Sequence, residues 1–159
     1  MIYVAAFFYV SSMLLANLLV AKFGPSISPV LAFFLIGLDL ALRDWLQVRM
    51  KVWLLGVLIV GTSLLTYWLN PAAQTIAIAS AVSFGVAAVA DWLVFVRLPG
   101  SWFRRSVGSN VAGAAVDSLL FPTLAFGALM PGIVAMQFAA KVIGGAMWSW
   151  MLSRRDRAG

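Results

Sequence analysis

The stretch Val107-Gly108-Ser109-Asn110-Val111-Ala112-Gly113-Ala114-Ala115-Val116-Asp117-Ser118-Leu119-Leu120-Phe121 decides how this chain is read. It is apolar enough to lie in a bilayer, yet it carries an amide and a carboxylate seven positions apart. Such groups are costly in hydrocarbon and face a bundle interior, which points to a bound or transported solute. Seven residues is nearly two helical turns, so Asn110 and Asp117 share one face, with Gly113 and Ala114 between them. A neighbouring helix or a flat solute can approach that small-residue notch closely. An amide offers donors and an acceptor, and an ionised carboxylate offers acceptors only. Together they suit an amidine-like or guanine-like edge.

The rest of the chain agrees with a membrane setting. Of 159 residues, 64% are hydrophobic and 10% charged, against roughly 25% charged in an ordinary soluble domain. His, Cys and Glu are absent and five Asp remain, which removes thiol nucleophiles, imidazole bases and the usual ligands of zinc. No metal, cofactor or catalytic residue is expected. The net charge of +6 does not imply nucleic acid, because the Lys and Arg residues are sparse and fall largely between apolar stretches. Met1-Ile-Tyr-Val lacks the basic flank of a cleavable signal, so Met1 reads as the start of the mature protein.

A spanning helix needs about 20 apolar residues, and the chain divides into spans near 2–22, 28–46, 52–69, 73–96, 107–129 and 132–152. The expectation is an all-α polytopic membrane protein, a compact bundle of six transmembrane helices forming a single domain. Arg43, Arg49 and Lys51 follow the second span, Arg97, Arg104 and Arg105 the fourth, and Arg154, Arg155 and Arg157 the sixth. The turns after the third and fifth spans carry no Lys or Arg, which places both termini inside. Lys22, near the outer end of the first span, is the one dissenter. No long internal repeat is evident.

Other polar residues inside the spans complete the candidate site. Gln137 and Lys141 lie one turn apart on the sixth span, Gln137 the deeper and suited to direct hydrogen bonding. Lys141 either pairs with Asp117, lines the pathway or snorkels toward the inner end. Asp39 and Arg43 have the spacing of an intrahelical ion pair, while Arg43 and Asp44 read as interfacial. Asn17 is the one strongly polar side chain in its run, and Asp91 either meets solute or pairs with Arg97. Trp45, Trp53, Trp68, Trp102, Trp148 and Trp150 lie near span ends, where aromatic belts form. Trp92 and the Phe33-Phe34 pair are the candidates for stacking on a planar solute.

Read as VGSNVAGAAVDSLLFPTLAF, residues 107–126 resemble the hallmark segment of the VUT family of queuosine-precursor transporters. Further similarity lies in Ala16-Asn17 with Lys22, Gly37-Leu38-Asp39 with Arg43-Asp44, Ala90-Asp91, and Gln137 with Lys141. The resemblance spans nearly the whole chain. It implies uptake of a 7-deazaguanine queuosine precursor, the cyano or aminomethyl base, across a bacterial inner or plasma membrane for salvage into tRNA. It also implies a layout like the substrate-binding component of energy-coupling-factor importers. Asn17, Asp39, Arg43, Asp91, Asn110, Asp117, Gln137 and Lys141 become the substrate-binding candidates. The partners expected are the deazaguanine and the lipid bilayer, with a homodimer or a separate energising partner as further options. The alternatives are a binding component that moves solute only with such a partner, and a structural membrane protein whose polar residues hold helices together.

Overall fold

The computed structural model describes residues 2–157, with side chains described through Arg154. Six long helical rods account for nearly all of it: α1 (Ile2–Phe23), α2 (Pro25–Gln47), α3 (Val52–Leu69), α4 (Pro71–Arg97), α5 (Trp102–Phe126) and α6 (Pro131–Arg157). The first four are long and apolar enough to cross a membrane. The last two, of 25 and 27 residues, bury Asn110, Asp117, Gln137 and Lys141 together with four serines. The expected side-chain positions of Arg155 and Arg157 lie outside the described residues.

The rod ends follow local chemistry. Gly24 takes φ 75°, a left-handed turn that an L side chain resists, and Pro25 then opens α2. The Asn70 side chain accepts at Oδ1 from the Ala72 amide at 3.0 Å, closing the turn into Pro71. Ser101 caps α5 by accepting from the Arg104 amide at 3.4 Å. That cap starts the fifth rod five residues earlier than hydropathy suggests, and brings Arg104 and Arg105 into its first turn rather than a loop. The sixth rod likewise outruns its apolar stretch, since a helix continues into water where a span stops.

The second rod is not regular. Residues Ala32–Ile36 form a π-type turn within it, with the Gly37 amide donating to the Ala32 carbonyl. Such a turn displaces carbonyls from the ordinary ladder, and the Phe34 carbonyl accepts from Trp148 Nε1 at 3.1 Å. Beside it α2 and α6 meet backbone to backbone. A Cβ on Gly37 would lie 2.7 Å from the Gly144 carbonyl carbon, and one on Gly144 would overlap the Phe33 carbonyl oxygen. Small residues permit this approach where no hydrophobic force draws helices together.

The burial pattern is that of a membrane bundle. Large apolar side chains such as Phe7, Trp53, Leu64, Trp68 and Ile143 face outward. Tyr9, Met13, Leu40, Leu46, Ile59 and Phe84 form an apolar cluster inside, and Val20, Leu31, Ile76 and Phe121 form a second one. Between these clusters the interior is polar, and α4, α5 and α6 pack in sequence around it while α2 closes against α6.

Candidate functional site

The eight polar candidates fall into two buried groups at different depths. Asn17, Asp117, Gln137 and Lys141 come together around a small cavity. Asp39, Arg43, Asp91 and Asn110 belong to a second group, nearer the bundle end that carries Arg49, Arg97 and Arg105. Asn110 and Asp117 do share a helix face, but seven residues at about 1.5 Å each separate them along the axis. Asp117 lines the cavity, and Asn110 bonds to Ser106 in the second group.

The cavity is lined from α1, α2, α4, α5 and α6. Its polar wall is Asn17, Ser28, Asp117, Gln137 and Lys141, and its apolar wall includes Phe84, Phe121, Leu31 and Ile36. Lys141 Nζ lies 2.7 Å from Asp117 Oδ2, and donates to Ser118 Oγ at 3.1 Å and Gln137 Oε1 at 2.8 Å. Gln137 Nε2 donates to Ser28 Oγ at 2.9 Å, and Ser28 in turn to the Pro25 carbonyl at 2.6 Å. Lys141 is thus buried and fully engaged rather than snorkelling. Gln137 orients Lys141 and ties α6 to the start of α2. Asn17 Nδ2 reaches Thr66 Oγ1 at 3.4 Å, joining α1 to α3.

One acceptor is left over. Asp117 Oδ1 is buried and has no hydrogen-bond partner among the described residues. An unpaired carboxylate oxygen in a dry interior is expensive, so a donor arriving in the cavity meets an acceptor already aimed at it. The cavity measures about 20 Å³, room for about one water molecule, whereas sites for drug-sized ligands run ~300–1,000 Å³. A heterocycle enters only as the helices part.

In the second group Arg43 Nη2 lies 3.2 Å from Asp91 Oδ2 across α2 and α4. The side chains of Arg43 and Asp91 fill the Gly113 notch, where an added Cβ would stand 3.1 Å from Asp91 Cβ and 3.2 Å from Arg43 Nη2. The notch therefore admits an ion pair instead of a flat solute. Ser12 Oγ donates to Asp39 Oδ1 at 3.2 Å. Asp44 Oδ2 accepts from Ser106 Oγ at 2.6 Å, Ser106 meets Ser149 Oγ at 2.8 Å, and Asn110 Nδ2 donates to Ser106 Oγ at 3.4 Å.

Several expectations are corrected here. Arg43 and Asp44 are 1% and 0% exposed, not interfacial. Arg43 reaches across to Asp91 because glycine at 113 leaves space for its fork, and Arg97 instead donates to its own helix at the Leu93 carbonyl. Trp45 is buried, and Trp102 donates to the Asp44 carbonyl at 3.3 Å, so neither acts as a simple belt residue. Trp92 and Phe34 are exposed and do not line the cavity, whose aromatic faces are Phe84 and Phe121. Ser28, Thr66, Ser106 and Ser149 join these networks without a sequence signal of their own, because single hydroxyls are common in apolar helices and nothing in their spacing sets them apart.

Neither a curated protein nor a solved structure matches this chain. A family model described as "Putative vitamin uptake transporter" matches residues 2–153. With that match running over almost its whole length, and a polar cavity inside an apolar helical shell, the chain belongs to this family of membrane transporters.

Proposed function

We propose that the protein imports a queuosine precursor, a 7-deazaguanine such as the cyano or aminomethyl base, for tRNA modification salvage. The observation that carries the reading is the free Oδ1 of Asp117, buried in a cavity that also offers the Phe84 and Phe121 rings. A deazaguanine presents adjacent N–H groups that a carboxylate accepts and a flat face that packs against aromatic rings. Asp117 takes the N–H edge, Asn17 contributes an amide, and Lys141 holds the carboxylate in place. Gln137 acts through Lys141. Asp39, Arg43, Asp91 and Asn110 support the bundle below the cavity.

The reading places all six rods across a bacterial inner or plasma membrane, with both termini and the Arg-rich turns inside. Arg49, Lys51, Arg97, Arg104, Arg105 and Arg154 then share one side, as the positive-inside rule requires. A second reading, a substrate-binding component that needs an energising partner, is favoured by the small closed cavity, which requires helix movement to load and empty.

Binding to the purified protein, by competition among 7-cyano-7-deazaguanine, 7-aminomethyl-7-deazaguanine and queuine, tests the substrate. Saturable binding of at least one supports the reading; binding of none overturns it. Uptake by the protein alone in liposomes rejects the partner-dependent alternative.

A further inference from the structure

We propose that the buried carboxyl of Asp44, next in sequence to the Arg43 that pairs with Asp91, is a proton-binding site that couples transport to the proton gradient. The proposal rests on the transporter reading above and gives it a driving force.

The charge balance of the second group demands protons. Asp39, Asp44 and Asp91 are completely buried, and Arg43 is the buried arginine among the described residues. A guanidinium stays charged, so Arg43 balances one carboxylate, the Asp91 that it meets at 3.2 Å. The others have no second buried cation beside them, and a carboxylate taken out of water without a partner neutralises by taking up a proton. Asp44 is held by neutral donors alone, Ser106 Oγ at 2.6 Å and Gln47 Nε2 at 3.2 Å, and both oxygens of Asp91 lack a hydrogen-bond partner among the described residues.

A separate feature points to proton traffic. Tyr9 Oη is buried and has no hydrogen-bond partner among the described residues. It stands within electrostatic reach of Asp39, Arg43, Asp44 and Asp91. A phenol is both donor and acceptor, so its unpartnered hydroxyl can meet a carboxyl in either protonation state. Asp39 likewise keeps Oδ2 unpartnered.

The surroundings favour a proton over a metal cation. Tyr9 from α1, Arg43 from α2 and Asp91 from α4 are the titratable or charged groups near Asp44, whose oxygens accept from Ser106 Oγ of α5 at 2.6 Å and Gln47 Nε2 of α2 at 3.2 Å. The α3 rod has no Asp, Glu, Lys or Arg. With a guanidinium nitrogen already at Asp91, a sodium ion would face direct repulsion, and no metal-holding acidic group occurs among the described residues.

The test uses the whole protein in liposomes with two readouts. Infrared absorption of protonated carboxyl groups, titrated with pH in the absence of solute, is compared among wild type, Asp44→Asn and Asp91→Asn. Uptake of 7-cyano-7-deazaguanine and 7-aminomethyl-7-deazaguanine is measured with and without an inward proton gradient. The wild type is expected to accumulate solute only with the gradient and to lose accumulation with a protonophore. Asp44→Asn is expected to keep solute-for-solute exchange, lose gradient-driven accumulation and lose protonated-carboxyl signal. Wild-type uptake indifferent to the proton gradient, or driven by sodium, overturns the proposal without needing any variant, as does a carboxyl signal unchanged in both. If wild type exchanges neither base yet the carboxyl signal is present and lost in the variants, the proton site stands and the substrate assignment falls.

Discussion

Lys141 Nζ and Asp117 Oδ2 lie 2.7 Å apart, and the other oxygen of the same carboxylate has no hydrogen-bond partner among the described residues. One cation therefore holds the acid in place while leaving half of it available. The pair spans α5 and α6 and forms the charged wall of the cavity, so its two oxygens divide into a structural and a recognition role.

Removing the free acceptor should weaken solute binding more than folding. In Asp117→Asn the amide retains the shape but presents either a donor or a neutral acceptor to the ligand edge. Unmet ligand donors cost about 1–3 kcal/mol, so binding by equilibrium dialysis in detergent should weaken about 5- to 150-fold at 1.4 kcal/mol per tenfold. Unchanged affinity in correctly inserted protein would remove Asp117 from the site.

Lys141 should behave differently from Asp117 in stability. Lys141→Met strands a buried carboxylate, a change that costs about 3–5 kcal/mol where a buried pair is broken from one side. The double variant Asp117→Leu with Lys141→Met removes both charges and should recover most of that loss, though not solute binding. Detergent-induced unfolding followed by tryptophan fluorescence reads the comparison; a double variant no more stable than the single one would contradict the pairing.

The natural absence of cysteine makes the topology directly testable. A membrane-impermeant maleimide should label Met130→Cys in intact cells and Lys51→Cys only after permeabilisation. Labelling of Lys51→Cys from outside would invert the orientation, and labelling of both from one side would remove at least one span.

The number of rods and most of their ends were legible because hydropathy, Gly-Pro breaks and alternating basic turns all report on length and side. The polar residues that matter were legible as a set, since Asp, Lys, Asn and Gln stand out in an apolar chain. Their grouping was not. Asn110 and Asp117 share a face in sequence, yet depth along the helix assigns one to Ser106 and the other to Lys141. The cross-helix reach of Arg43 depends on the space at Gly113 and on how α2 lies against α4, which no local pattern encodes. The π-type turn at Ala32–Ile36 is equally invisible, because it answers to the tight contact with Gly144 rather than to any preference of Ala-Phe-Phe-Leu-Ile.

That contact supplies a sharp contrast between glycines. In Gly144→Ala the new methyl would overlap the Phe33 carbonyl oxygen, which is backbone and cannot swing aside. The α2 and α6 rods must then separate, and overpacking of this kind costs about 1–3 kcal/mol. The same displacement would move Gln137 and Lys141 on α6 away from Ser28, Leu31 and Ile36 on α2, so solute binding should weaken together with stability. Gly56 lies on the outward face of α3 with nothing within 4 Å of an added Cβ, and Gly56→Ala should raise helix stability by about 0.5–1 kcal/mol. Unfolding and binding measured side by side on the two variants check the contact, and equal stability of Gly144→Ala and wild type would show that the helices do not meet there.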